Sequence, residues 1–433
     1  MTTVKALIVG GGPSGLALAY GLQGNTLVVE KESSVGGLCR SFCHDGGVFD
    51  IGGHSFHTPY PEVFELVNKL MDGRLHIQER DARIATHGTT IPYPFQKFFN
   101  RIPDSQVVEE CERGLRNVND KMISPENFED FILQKFGKGI ADHFMLPYNR
   151  KLWARDIKQM SVEWTSERIA APKGDVERFD VTGGERKPLQ SGTQVGYPIG
   201  GGFDEIFKSF VPHLPAVELN STVVHINPKE HVATTDGGEK YHWEFLASTM
   251  PLPVLVDMVE GTPDEIVAAA DKLEYMSLRV ELLLAGRKLD TPIQRLYVSD
   301  SETPSHKIAL NHNSSDFLRA KPCHAIMAEV SMSLDKPVEV DQIAPKTISL
   351  LCNLGILDSP DDIVWRSHVD VEYAYPVYTH ERPALVKIIK EWMVQNHIHT
   401  LGRFGDWEYI NSDKCIMKGL DMADELRHHY FNG

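Results

Sequence analysis

Val4-Lys5-Ala6-Leu7-Ile8-Val9-Gly10-Gly11-Gly12-Pro13-Ser14-Gly15-Leu16-Ala17-Leu18-Ala19-Tyr20 reads as an apolar strand, a glycine turn and the opening of a helix. A second apolar run, Leu27-Val28-Val29, ends at Glu30, twenty residues after Gly10. Glycines permit the tight turn and let backbone N–H groups at the helix N-terminus approach a diphosphate, while an acid at this spacing accepts a ribose hydroxyl. Strand, turn, helix, second strand and acid fall in register. The stretch therefore predicts a dinucleotide-binding turn in an α/β, Rossmann-type domain, with Gly10, Gly12, Pro13, Ser14, Gly15 and Glu30 as cofactor residues.

Working outward, 433 residues exceed one typical core and imply two to three domains. Hydrophobic residues make up 42% and charged residues 24%, a globular balance without the apolar run that a membrane span requires. The chain enters its glycine turn within ten residues, so no secretory segment is expected. Six cysteines are scattered without C-x-x-C or zinc spacing, as expected of reduced thiols in the cytoplasm. Net charge is −16, which argues against a nucleic-acid footprint or an anionic membrane surface. An anionic ligand must then be held locally, by arginines in a pocket. His397-Ile398-His399 and His428-His429 lack acidic or cysteine partners at ligand spacing, so no metal is expected.

Pro61 to Leu70 has the apolar spacing of a one-faced helix with proline in its first turn. Ser124-Pro125 suits a helix start, followed by the stripe Phe128, Phe131, Ile132 and Phe136. Thr262-Pro263-Asp264-Glu265 has the form of a capping box. Ser277 to Leu282 then alternates like a strand, and runs at 296–298, 307–310 and 325–330 extend an antiparallel layer. These cues divide the chain into 1–75 (first part of the cofactor domain), 76–98 (strands of the sheet domain), 99–190 (helical domain), 191–265 (second part of the cofactor domain), 266–395 (antiparallel sheet domain binding substrate) and 396–433 (closing part of the cofactor domain).

After Glu30, Lys31 leads to a second turn, Gly36-Gly37-Leu38-Cys39-Arg40. This pairing of turns resembles the flavoprotein superfamily of amine oxidases, protoporphyrinogen oxidases, sugar mutases and the flavin-free GDP-dissociation inhibitors. It implies FAD, held also by Lys31, Gly37, Leu38, Arg40 and Val223. Four further stretches are similar to the UDP-galactopyranose mutase family, particularly its eukaryotic-type branch. They are Phe49-Asp50-Ile51-Gly52-Gly53-His54-Ser55-Phe56-His57-Thr58; Arg80 with Ile91-Pro92-Tyr93-Pro94-Phe95-Gln96; Pro147-Tyr148-Asn149-Arg150-Lys151-Leu152-Trp153 with Glu167-Arg168-Ile169-Ala170-Ala171-Pro172; and Tyr375-Pro376 with Gly402-Arg403-Phe404-Gly405-Asp406-Trp407-Glu408-Tyr409-Ile410-Asn411. The resemblance implies that Gly52, Gly53 and His54 sit beside the flavin ring and Arg80 near it. Tyr93, Phe95 and Gln96 would surround the nucleotide base, and Arg403 would lie by the flavin pyrimidine. Gly419 and Met422 would fall on a closing helix over the ribityl chain. Asn149, Trp153, Arg168, Tyr297, Lys307, Tyr375, Tyr409 and Asn411 complete the substrate set, with Arg168 gripping the diphosphate bidentately as a guanidinium can.

The chain departs from the branch pattern at Lys307, where a second diphosphate arginine is usual, at Arg295, where a tryptophan is usual, and at Ser314, where a tyrosine is usual. The resemblance implies a mutase interconverting pyranose and furanose forms of a nucleoside-diphosphate hexose. Reduced FAD would attack the anomeric carbon through N5, with NAD(P)H as a candidate reductant and His54, Arg168, Lys307 and Arg403 as the catalytic set. A homo-oligomer is left open. Two other readings share the first forty residues: a flavin oxidase or desaturase, and a non-enzymatic protein of the GDP-dissociation-inhibitor type.

Overall fold

Ala6, Leu7, Ile8 and Val9 are all buried, as in a parallel strand covered on both faces. In the computed structural model, which describes residues 1–118, 124–166, 168–169 and 193–427, strand Thr2–Val9 is central to a seven-stranded sheet. It pairs in parallel with Thr26–Val29 on one side and Lys240–Ser248 on the other. Ile398–Thr400 joins Lys240–Ser248 in parallel, so the last strand of the chain returns to the first domain. Helix Pro13–Leu22 covers this sheet and packs on helix Ser412–Leu426. Their axes approach closely because a Cβ at Gly419 would stand 2.5 Å from the Ser14 carbonyl oxygen, and one at Gly21 2.3 Å from the Ala423 Cβ.

A second seven-stranded sheet has the order Ile363–Pro376, Tyr275–Ala285, His324–Met332, Lys307–Leu310, Arg295–Val298, Ala82–Thr86, Thr89–Pro92. It is antiparallel except at one seam, where Arg295–Val298 runs parallel to Ala82–Thr86. The strands from residues 275 to 376 all pair antiparallel, as expected, and the parallel seam arises only where Ala82–Thr86 joins them, because the chain enters this sheet twice. Two apolar layers sandwich it: Ile348 and Leu351 of helix Ile343–Asn353 pack with Leu283 and Ile326 on one face, and Phe49 and Ile51 with Leu282 and Met327 on the other. Phe95, Phe128, Phe136, Phe144 and Trp153 form a separate aromatic core in the helical insertion.

Some boundaries move. Leu75–Glu79 pairs with Gln194–Pro198 in a ribbon of its own, not in the sheet domain. Helix Arg382–Gln395, read within the 266–395 sheet segment, buries Val386, Ile389 and Met393 in the core of the first sheet, since its apolar stripe meets Ile266 and Ala270 there. Asn127, not Ser124, caps the helix that starts at Phe128, its side chain accepting from the Asp130 N–H. Thr262 makes no capping box; its hydroxyl donates to the carbonyls of Val256 and Val259 in the preceding turn. Glu167, Ala170, Ala171, Pro172, His428 and His429 lie outside the described residues. Among the described residues no helix is long and apolar enough to cross a membrane, and all six cysteines are free thiols.

Candidate active site

The glycine turn opens onto a cavity of about 820 Å³ between the two sheets. Gly10 has φ +106, and a Cβ at Gly15 would stand 2.1 Å from the Gly10 carbonyl oxygen, so turn and helix meet only through glycines. Gly12 differs: among the described residues nothing lies within 4 Å of where its Cβ would be, and its face of the helix N-terminus looks into the cavity. Glu30 is buried, with one carboxylate oxygen accepting from the Gly11 N–H at 2.7 Å and the other from the Glu32 N–H at 2.9 Å. Lys31, Gly37, Leu38, Arg40 and Val223 line the same end. Arg40 is balanced by Glu32 at 2.7 Å and donates through Nε to the Gly37 carbonyl at 3.0 Å.

The loop Gly52-Gly53-His54 crosses the middle of the cavity over the second sheet. Gly52 adopts φ +84, and the His54 ring stacks on Phe203 at 5.0 Å with 9° between planes. His54 Nδ1 is buried without a hydrogen-bond partner among the described residues. Burial, and then the charges of Lys307, Arg295 and Arg403, depress the His54 pKa to about 3, so its imidazole is neutral at ordinary pH. Gly52 and Tyr375 line a small recess that opens beside His54, Lys307 and Arg403.

At the far end, Phe144 stacks on Tyr148 at 5.1 Å, Tyr148 meets Tyr297 edge-on at 5.9 Å, and Tyr297 lies 4.8 Å from Tyr93. Arg80 lies over both Tyr93 and Tyr297 and donates to the Tyr297 hydroxyl. Gln96 and Asn149 complete this aromatic slot. Between slot and loop, Arg168 sits 4.1 Å above the Tyr409 ring, donating to Asn411 Oδ1 at 2.8 Å and the Tyr409 carbonyl at 2.6 Å. Arg403 stands 5.4 Å from the rings of both Tyr375 and Tyr409 and donates through Nε to the Ile410 carbonyl at 2.9 Å. Two guanidiniums thus flank one tyrosine, each oriented by carbonyls, a geometry suited to a diphosphate.

Most of the expected residues converge here, with exceptions that have simple causes. Phe95 is fully buried behind Phe144, on which it stacks at 4.9 Å, and Trp153 is buried behind Tyr409 at 5.6 Å; both support lining residues without reaching the cavity. Gly419 and Met422 lie outside it. The helix meets the cavity at its N-terminus, through Ser412, Asp413 and Cys415, and Gly419 is about 10 Å further along at 1.5 Å per residue. Gly15 acts through the turn rather than as lining. Ser314, one of the three departures from the branch pattern, is buried in the turn Asn311–Ser314 and does not line the cavity. Lys307 lines the cavity, but its ammonium is paired with Glu329 at 2.8 Å, so it does not arrive as an uncommitted charge for the diphosphate.

Glu329 is the residue that sequence reasoning missed. It is 1% exposed, and it also accepts from the Gly53 N–H at 2.7 Å. Its signal was available: a lone acid inside the otherwise apolar strand Ala325-Ile326-Met327-Ala328-Glu329-Val330. Cys39 and Cys415, both buried, also face the cavity.

Residues 8–70 match the family model of the NAD(P)-binding Rossmann-like domain. The fold is that of the FAD-dependent oxidoreductase superfamily. Within it, the chain is a homologue of the UDP-galactopyranose mutases. It is 25% identical over 171 residues to the probable UDP-galactopyranose mutase of Klebsiella pneumoniae, a match covering 37% of this chain and 44% of that protein. To the dTDP-fucopyranose mutase of Escherichia coli it is 23% identical over 163 residues, 36% of this chain and 43% of the relative. Each of these matches spans less than half of the relative's length. A crystal structure of reduced UDP-galactopyranose mutase superposes with a TM-score of 0.89 at 28% identity, covering 99% of this chain and 94% of the other.

Proposed function

We propose that the protein is a cytoplasmic, FAD-dependent mutase that interconverts the pyranose and furanose forms of a nucleoside-diphosphate hexose, active with reduced flavin. The observation that carries this reading is the convergence of Arg168, Arg403, Tyr409 and Asn411 with His54 in one cavity whose other end is the glycine turn. The turn suits a dinucleotide because the Gly12 face is open where a diphosphate would approach and Glu30 is already oriented by the Gly11 amide. Bound in reduced form, the flavin would supply a nucleophile for the anomeric carbon with no net redox change.

The protein's own residues would hold and steady the substrate. The slot of Tyr93, Phe144, Tyr148 and Tyr297 offers stacking faces for the base, with Gln96 and Asn149 as polar edges. Arg168 and Arg403 would take the diphosphate, stabilising the charge that builds as it departs, while Tyr409 and Tyr375 offer phenols at its flank. Lys307, tied to Glu329, would contribute at closer range only. His54, kept neutral, can exchange a hydrogen bond with the cofactor ring without bringing a charge to it.

The test is stoichiometric. Pre-reduced protein should convert the pyranose to the furanose nucleotide sugar over many turnovers without consuming reductant, followed by anomeric proton NMR. Product formed in proportion to NAD(P)H or oxygen consumed would identify an oxidoreductase and overturn the mutase reading.

A further inference from the structure

Three adjacent strands of the second sheet place Tyr297 opposite Lys307 and Lys307 opposite Glu329, so these side chains form one row on one face. Arg295, two residues before Tyr297, points to the same face. The loop Gly52-Gly53-His54 lies directly on this row. A Cβ at Gly53 would stand 2.6 Å from Arg295 Nε and 2.8 Å from the Ala309 Cβ, and one at Gly52 2.9 Å from Glu329 Oε1. The two glycines are there because charged side chains occupy the space their own would need.

We infer that Arg295 and Glu329 are positioning residues that hold the Gly53-His54 unit from opposite ends and so set where the His54 imidazole stands. Glu329 Oε1 accepts from the Gly53 N–H at 2.7 Å, while Arg295 Nη2 donates to the His54 carbonyl. Acid on the amide and base on the carbonyl match the polarity of the backbone they grip. Both are nearly inaccessible, at 1% and 3% exposure. Glu329 is neutralised by Lys307, whereas Arg295 has no carboxylate within 4 Å among the described residues and is held by the carbonyls of His54 and, at 2.7 Å, Gln294. A buried guanidinium without a counter-ion is expensive unless its hydrogen bonds are well made. Its charge is therefore directed at the loop backbone, and Arg295 serves as an anchor for the histidine. The contacts stand by themselves; their consequence for the cofactor rests on the proposed function.

Titrating the His54 imidazole by NMR in the purified protein tests the clamp directly. Arg295→Lys keeps the charge but loses the planar fork that spans the His54 and Gln294 carbonyls. If the arginine positions the loop, water reaches the ring and the apparent pKa of His54 rises by about one unit or more, a tenfold change in proton affinity. If its charge alone acts, nothing moves. Glu329→Gln separates the same possibilities by sign: losing a nearby anion lowers the His54 pKa, whereas releasing the loop raises it. An unchanged value in Arg295→Lys together with a fall in Glu329→Gln would overturn the inference. In the flavin-loaded protein both variants should shift the flavin midpoint potential, and neither shift should survive in a His54→Ala background. Failure to load flavin would count against the mutase reading, while the titration would still decide the clamp.

Discussion

At the scale of single residues, Gly12 separates binding from folding. Its backbone, at φ −77 and ψ 178, is one that any side chain adopts, and the space beyond its Cβ is open. Gly12→Val should therefore unfold at the denaturant midpoint of flavin-free wild type yet purify colourless, because the isopropyl group stands where a diphosphate would approach. A yellow variant would mean that this turn does not hold the flavin. Arg168→Ala should lose about 2–4 kcal/mol of transition-state stabilisation, read in kcat/KM, as for removal of one donor to a developing anion. Asp50 gives a different signal. Burial pushes its carboxyl up to about 6, against the hydrogen bonds from Ser41, Phe203 and Tyr197. The folded state keeps this proton to higher pH than the unfolded chain does, so the favourable contribution is complete below about pH 4 and disappears as pH rises through about 6. The stability difference between wild type and Asp50→Asn should fall by about 2–3 kcal/mol across that interval, and a flat difference would show that Asp50 does not titrate there.

Among the elements, the seam between helices Pro13–Leu22 and Ser412–Leu426 joins the first segment of the chain to the last. Gly419 permits it. Its Cβ would strike both the Ser14 carbonyl oxygen and, at 2.8 Å, the Ala17 Cβ, and backbone cannot swing aside as a long side chain can. Gly419→Val should destabilise the fold by about 1–3 kcal/mol, measured by denaturant unfolding, while folded protein keeps its nucleotide affinity because the residue lies outside the cavity. Loss of affinity without loss of stability would return Gly419 to the cofactor site. This seam also shows what sequence can convey. The strand, turn and helix around Gly10 were legible because every determinant is local. That a glycine mattered in the closing helix was legible too, but its role was not, since whether it faces a ligand or a neighbouring helix depends on where the helix begins and how it is rotated. The pairing of Lys307 with Glu329 was further out of reach. It is fixed by strand register across 22 residues, and the grip on Gly53 spans 276. Ser124 and Thr262 misled for the opposite reason, because local capping patterns there yield to Asn127 and to the turn before Pro263.

Over the whole molecule, a chain of net charge −16 concentrates Arg80, Arg168, Arg295, Lys307 and Arg403 around one cavity, and the way each is held bears on the substrate. Arg295 is turned to the loop backbone and Lys307 to Glu329. With Ser314 buried away from the cavity, all three positions that depart from the branch pattern are engaged inside the protein. Arg168 and Arg403 line the cavity, are oriented by carbonyls beside Tyr409, and suit a diphosphate of the ordinary kind. Reduced protein should accordingly convert UDP-galactopyranose with kcat/KM of about 10⁴ M⁻¹s⁻¹ or more, within the usual enzymatic range. Lys307→Arg should retain most of that activity, since a guanidinium can keep the pairing with Glu329, whereas Lys307→Met should strand a buried carboxylate and lose both stability and turnover. An efficiency a hundredfold below this range, unrepaired by Lys307→Arg and recovered with a different nucleotide sugar, would show that the wall carrying Arg295 reads the sugar and that its charge is addressed to the ligand after all.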